Sequence, residues 1–222
     1  MGDGSSETGS SPQRYRAHSL RHQLLAKLLE IVLTPVDVIV ESELQVMRDA
    51  PRADVLLLRR RGRQWTEAQR QLLPDGVRDR MGHHHLLECK FSESLNESAL
   101  QQALSYDYFY RQSHRLKTGE LQTYVVSART PRAAWLRQYG YAPEQPGVYV
   151  STLPLVEKIV VLVLNELSKA PHNEFLRLFA SRQQVRRQSI HEVLQQPTAV
   201  QPDQFWAIVF GLQRVYQLED ST

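Results

Sequence analysis

The chain of 222 residues has a single cysteine, Cys89. No intrachain disulfide can form, so stability must come from a packed core, and a reducing, cytoplasmic setting is expected. Long apolar runs are also missing. The longest wholly apolar stretches, Ile159 to Leu164 and Phe205 to Phe210, are far too short to cross a bilayer, so no membrane partner is expected. The net charge of +3 is too small for indiscriminate coating of nucleic acid. Lysine is scarce: of 27 basic residues, 22 are arginine. What remains is ordinary for a folded domain, with 41% apolar and 23% charged residues.

Arginine in place of lysine means rigid forks of donors suited to phosphate oxygens. Two clusters stand out: Arg59, Arg60, Arg61 and Arg63 behind a strand-like run, and Arg182, Arg186 and Arg187 further on. Solvated loop charge is the plain explanation of each cluster alone; a local basic surface beside a cleft is the functional one.

Residues 1–19 are Gly/Ser-rich and polar and read as a disordered leader. RHQLLAKLLEIV, from Arg21, sets Leu24, Leu25, Leu28, Leu29 and Val32 on one helical stripe. VDVIVESELQV alternates like a strand with one wet face, and DVLLLRR reads as a second strand. Thr66 is placed to cap a short helix, and Pro74-Asp75-Gly76 is turn chemistry. HHLLECKF, from His84 to Phe91, reads as a third strand, followed by a helix from Asn96 or Ser98 and a fourth strand from Leu121 to Ala128. The order is helix, three strands, helix, strand: an α/β fold with a mixed central sheet. GVYVS and KIVVLVL read as further strands, Asn173 is placed to cap a long helix, and Asp203 to cap a last one. Residues 20–150 would form the core and 151–222 a strand and helical extension packed on it.

Alternation puts Glu88 and Lys90 on one face of the third strand, with Leu87, Cys89 and Phe91 on the other. Cys89 is therefore expected as a buried, inert thiol. If the strand opened by Asp54 lies alongside, two carboxylates and an amine converge. Oxygen ligands of that kind suit Mg²⁺ or Mn²⁺, and the amine suits a phosphodiester. The His83-His84-His85 run does not chelate, because successive strand residues point to alternate faces. Tyr106, Tyr108, Phe109 and Tyr110 are mostly expected in the core.

Asp54 followed by Glu88-Cys89-Lys90, on strands between two helices, resembles the PD-(D/E)XK nuclease superfamily, whose core has the αβββαβ order of the restriction-endonuclease-like fold. The match covers Arg21 to Ala128 and includes Gln102 and Tyr106, four apart on one helical face. LNELSKAPHNEFLRLFASR further resembles the recombination-promoting, transposase-associated branch. The resemblance implies a metal-dependent endonuclease acting on nucleic acid, DNA rather than RNA. Asp54 and Glu88 would ligate the metal, Lys90 would handle water or phosphate, and Gln102 would support the site. Arg59, Arg60, Arg61 and Arg63 would grip the backbone. Asp75, in a literal Pro-Asp dipeptide, competes with Asp54 as first ligand, and Glu30, Glu41 and Glu43 are candidates for a third carboxylate. Cutting both strands would call for a homodimer or a partner nuclease subunit. Two other readings compete: a non-cleaving nucleic-acid-binding or regulatory subunit with the same fold, and an interaction protein docking through Phe175, Leu178 and Phe179.

Overall fold

The computed structural model describes residues 12–42, 55–62, 64–195, 207–212 and 214–216, with side chains from Leu20 onward. Asp54, Arg63, Glu43 and Asp203 lie outside the described residues.

Helix α1 (Pro12–Leu33) leads into a Thr34–Val36 turn and strand β1 (Val38–Ser42). Strand β2 (Val55–Arg60), the short helix α2 (Glu67–Leu72) and strand β3 (His84–Lys90) follow. Helix α3 (Glu97–Ser113), strand β4 (Leu121–Ser127) and helix α4 (Ala133–Gln138) come next. The hairpin β5 (Tyr141–Gln145) and β6 (Val148–Ser151) precedes β7 (Ile159–Val163), and helices α5 (Glu174–Arg177) and α6 (Gln183–Gln195) close the numbered elements. A last helical segment includes residues 207–212 and 214–216. The α/β class and the helix–strand order to β4 are those expected, with α2 inserted before β3.

The seven strands form one mixed sheet in the order β1-β2-β3-β4-β7-β6-β5. β3, β4 and β7 run parallel, and the remaining pairs are antiparallel. A parallel centre must be covered on both faces. On one face, Leu56, Leu58, Leu87, Cys89, Tyr124, Val126 and Leu162 meet α1, α5, α6 and the last helical segment. On the other, Leu57, Leu86, Val125 and Val161 meet α3 and the flank of α4. This is why β3 is buried along its length except at Lys90.

The division expected at residue 150 runs through β6, and β7 pairs with β4 inside the sheet. The two parts share one sheet. Three local expectations need correction. The Val36 of the expected first strand sits in the Thr34–Val36 turn. Asn173 makes no side-chain cap, and the long helix it was to open is broken into α5 and α6 around Ala180. Phe175, Leu178 and Phe179 are core residues, which removes them as a docking face. Cys89 is buried, as expected.

Candidate active site

Glu88 and Lys90 occupy the carboxyl end of β3, on the face covered by α3. The register fixes that face: Glu88 lies opposite Val125 of β4 and Val55 of β2. The Lys90 ammonium sits 2.8 Å from Glu88 Oε1, with the glutamate side chain 1% exposed and the lysine 15%. The same ammonium donates to Gln102 Oε1 at 2.8 Å. The Gln102 amide in turn donates to the Tyr106 hydroxyl at 2.6 Å. Two residues from β3 and two from adjacent turns of α3 are thus joined in one hydrogen-bonded chain.

Local folding explains the alignment. Asn96 caps α3 by accepting from the Ala99 amide at 2.8 Å, which sets the helical phase just after β3. Ala99, Ala103, Tyr106 and Tyr110 then face the sheet, and Gln102 shares the flank with Tyr106. Lower on the same interface, buried Asp107 accepts from Thr123 Oγ1 at 2.8 Å and pairs with Arg111, pinning α3 to β4.

Asp54 directly precedes Val55, the residue paired with Glu88. Glu88 supplies a hard carboxylate donor with an amine beside it. That donor set needs a second carboxylate to hold Mg²⁺ or Mn²⁺, and Asp54, the residue expected to supply it, lies outside the described residues. Among the described residues no group of three His, Cys, Asp or Glu side chains gathers around a common point.

Asp75 is placed elsewhere. Gly76 beside it packs against Leu162 and Val148, on the sheet face opposite Glu88. Its carboxylate accepts from Asn173 Nδ2 at 2.7 Å and Ser168 Oγ at 2.8 Å, and lies 2.7 Å from His172 Nε2. The Asp75 amide donates back to Asn173 Oδ1 at 2.9 Å. Burial pushes this carboxyl up, but the bonds from Asn173, His172 and Ser168 outweigh it and hold it below the usual carboxylate value. Asp75 is a latch between the PDG turn and the segment before α5, not a partner of Glu88. Sequence spacing could not reveal it, because its partners lie more than ninety residues away.

Of the arginine run, the described members Arg59, Arg60 and Arg61 are not brought to Glu88 either. Because β2 is antiparallel to β3, Arg59 faces His84, four residues from Glu88 and about 13 Å away at strand rise. Arg59 pairs with Glu41 at 3.0 Å, Arg60 lies over the Trp65 ring on the other face, and Arg61 reaches Asp37 at 3.8 Å. Of the third-carboxylate candidates, Glu41 is thus paired at the far end, and Glu30 is on the surface with Lys27. Arg186 is buried, stacks on Tyr216 and donates to the Ala180 and Ser181 carbonyls.

The histidine run splits as alternation requires. His84 meets the Tyr110 hydroxyl at 2.8 Å and His85 that of Tyr124 at 2.9 Å, on opposite faces. Burial lowers His84 to about 4, with His83, Arg59 and His114 adding to it. Burial, then Arg60 and His84, lowers His85 to about 3. Of the four aromatics on α3, Tyr106 and Tyr110 are core, while Tyr108 and Phe109 are exposed.

No helix among the described residues is long and apolar enough to cross a membrane. No family model, curated protein or solved structure matches the chain.

Proposed function

We propose that the protein is a metal-dependent nuclease of the PD-(D/E)XK type, hydrolysing phosphodiester bonds of DNA. The observation that carries this reading is the chain Glu88–Lys90–Gln102–Tyr106 at the carboxyl end of a central parallel strand, where α/β sheets place their ligands. A plain surface ion pair needs no second helix to orient its amine. Here two bonds fix the ammonium, and among the described residues the third of its three N–H donors is left for a phosphate oxygen. Glu88 and Asp54 would hold Mg²⁺ or Mn²⁺. When bound, such an ion supplies positive charge that lowers the cost of the pentavalent phosphorus transition state.

The roles of the chain's own groups follow. Glu88 holds the Lys90 ammonium in position, and Gln102, anchored by Tyr106, keeps it from swinging away. Lys90 stabilises negative charge as a water oxygen bonds to phosphorus and the bond to one ester oxygen breaks. The attacking water gives up its proton to solvent, and the departing oxygen takes one from solvent.

The test is cleavage of single- and double-stranded DNA and of RNA, with Mg²⁺, Mn²⁺ or EDTA, by the wild type, Glu88→Gln and Lys90→Ala. Wild type should cut DNA only with metal, and each substitution should lower the rate by at least about a hundredfold, as expected for removing one preorganised charge. Circular dichroism and an unfolding midpoint must show that both variants remain folded. Undiminished cleavage by Glu88→Gln, or none by the wild type under any condition, overturns the reading.

A further inference from the structure

We infer that nucleic acid is gripped not by the Arg59–Arg63 run but by Arg129, Arg132 and Arg182, at the strand ends that carry Lys90. This deepens the proposed function and rests on it for the identity of the ligand.

The convergence is built by backbone hydrogen bonds. The Ala128 amide donates to the Lys90 carbonyl at 3.0 Å, tying the end of β4 to the end of β3. The Leu164 amide donates to the Ser127 carbonyl at 2.9 Å, adding the end of β7. The Ser181 amide then donates to the Ala128 carbonyl at 3.0 Å, laying the segment before α6 across the same strand ends. The Arg182 amide is held by Asn165 Oδ1 at 2.9 Å, and the Asn165 amide reaches Ser181 Oγ at 2.9 Å. Arg129 and Arg182 therefore each follow one member of a hydrogen-bonded pair, Ala128 and Ser181, that touches Lys90. Arg132 stands where the chain leaves β4 for α4, whose Trp135 and Leu136 pack on the α3 side of the sheet, the side of Lys90 and Gln102.

Several of the arginines of β2 and of the loop before β3 carry acidic partners, while exposed Arg115, after α3, has none among the described residues. At the far end Arg59, Arg61 and Arg80 are engaged by Glu41, Asp37 and Glu144. Arg129, Arg132 and Arg182 are all exposed, and none has an acidic partner among the described residues. Two exposed acids stand at this end, Glu93 in the loop after β3 and Glu97 in the first turn of α3. Three exposed arginines on segments that the backbone bonds gather at the strand ends of Lys90 suit the phosphates flanking a scissile bond, each fork able to take two oxygens.

The experiment measures binding of the full chain to a labelled DNA duplex by anisotropy in EDTA, over a range of salt. Variants are the triple Arg129→Gln/Arg132→Gln/Arg182→Gln and the double Arg59→Gln/Arg61→Gln. The triple variant should lose at least tenfold in affinity at moderate salt. Its plot of log affinity against log salt should be shallower by about 2.7, at roughly 0.9 per lost phosphate contact. The double variant should bind within about twofold of wild type. Equal or greater loss in the double variant, or wild-type binding by the triple, overturns the inference, as does tighter binding of poly-glutamate than of DNA. Cleavage is read separately. A wild type that cuts while the triple variant binds normally sinks the arginine rim and leaves the nuclease standing. A wild type that binds through the rim but never cuts does the reverse.

Discussion

His84 and His85 each lie within a sheet and are held neutral by burial, at about 4 and about 3. An unfolded histidine takes up its proton near 6.5. Below that value the unfolded chain binds protons that the folded chain refuses, so stability rises with pH and is lost as pH falls through this window. Each proton contributes a slope of up to about 1.4 kcal/mol per pH unit. Between pH 6.5 and 5 most unfolded-state carboxylates are still ionised, so the histidines dominate the trend there. The urea midpoint should fall from pH 7 to 5, and His85→Gln should flatten that fall while lowering stability at pH 7 through loss of the bond to Tyr124. A wild-type midpoint that is flat across this range would contradict the assignment. The residue scale also shows what local pattern can encode. That Glu88 and Lys90 share a face follows from period two alone, and so does the splitting of the histidine run.

At the scale of the element, caps and turns were readable wherever the signal is local. Thr66 accepts from the Gln69 amide at 3.2 Å and Gln69 answers to the Thr66 amide at 3.0 Å, a reciprocal cap at the start of α2. Asn96 caps α3 one way, its side chain accepting from the Ala99 amide. Asn173 carries the same local signature, yet its side chain is taken by Asp75, almost a hundred residues earlier. A partner so distant leaves no trace in a window of sequence. Which end of a strand a side chain occupies is equally hidden, since it depends on the direction of pairing. That is why the arginine run after β2 looked close to the site and is not. Gly147 gives the element-scale prediction. Its φ is +74°, and an added Cβ would fall 2.5 Å from the Leu167 backbone nitrogen. Gly147→Ala should cost about 2 kcal/mol or more, from left-handed strain and backbone crowding together, read as a lowered thermal midpoint. Thr66→Ala should cost about 1 kcal/mol. The reverse order would show that the hairpin turn tolerates a side chain.

For the whole molecule, the decisive feature is that β7 lies between β4 and β6. A fragment ending at residue 150 would leave β4 as an open edge and uncover the face now met by Leu176, Leu178 and Phe179. It should not fold alone: its amide-exchange protection and thermal transition should be absent, while the full chain shows one cooperative transition. A fragment with a native-like transition would restore residues 20–150 as an independent unit.

The placement of β7 also sets a timetable. Strands β1 to β4 can zip together in the order in which they leave the ribosome, but the β5–β6 ribbon has no neighbour until the strand made after it slots in. Pairing of β1 to β4 alone is not a folded core, so Glu88 and Lys90 are fixed only when β7 covers the β4 edge, the same step that lets the segment before α6 reach the strand ends. The carboxylate–amine pair and the exposed arginines beside it would then be assembled in one step rather than in two.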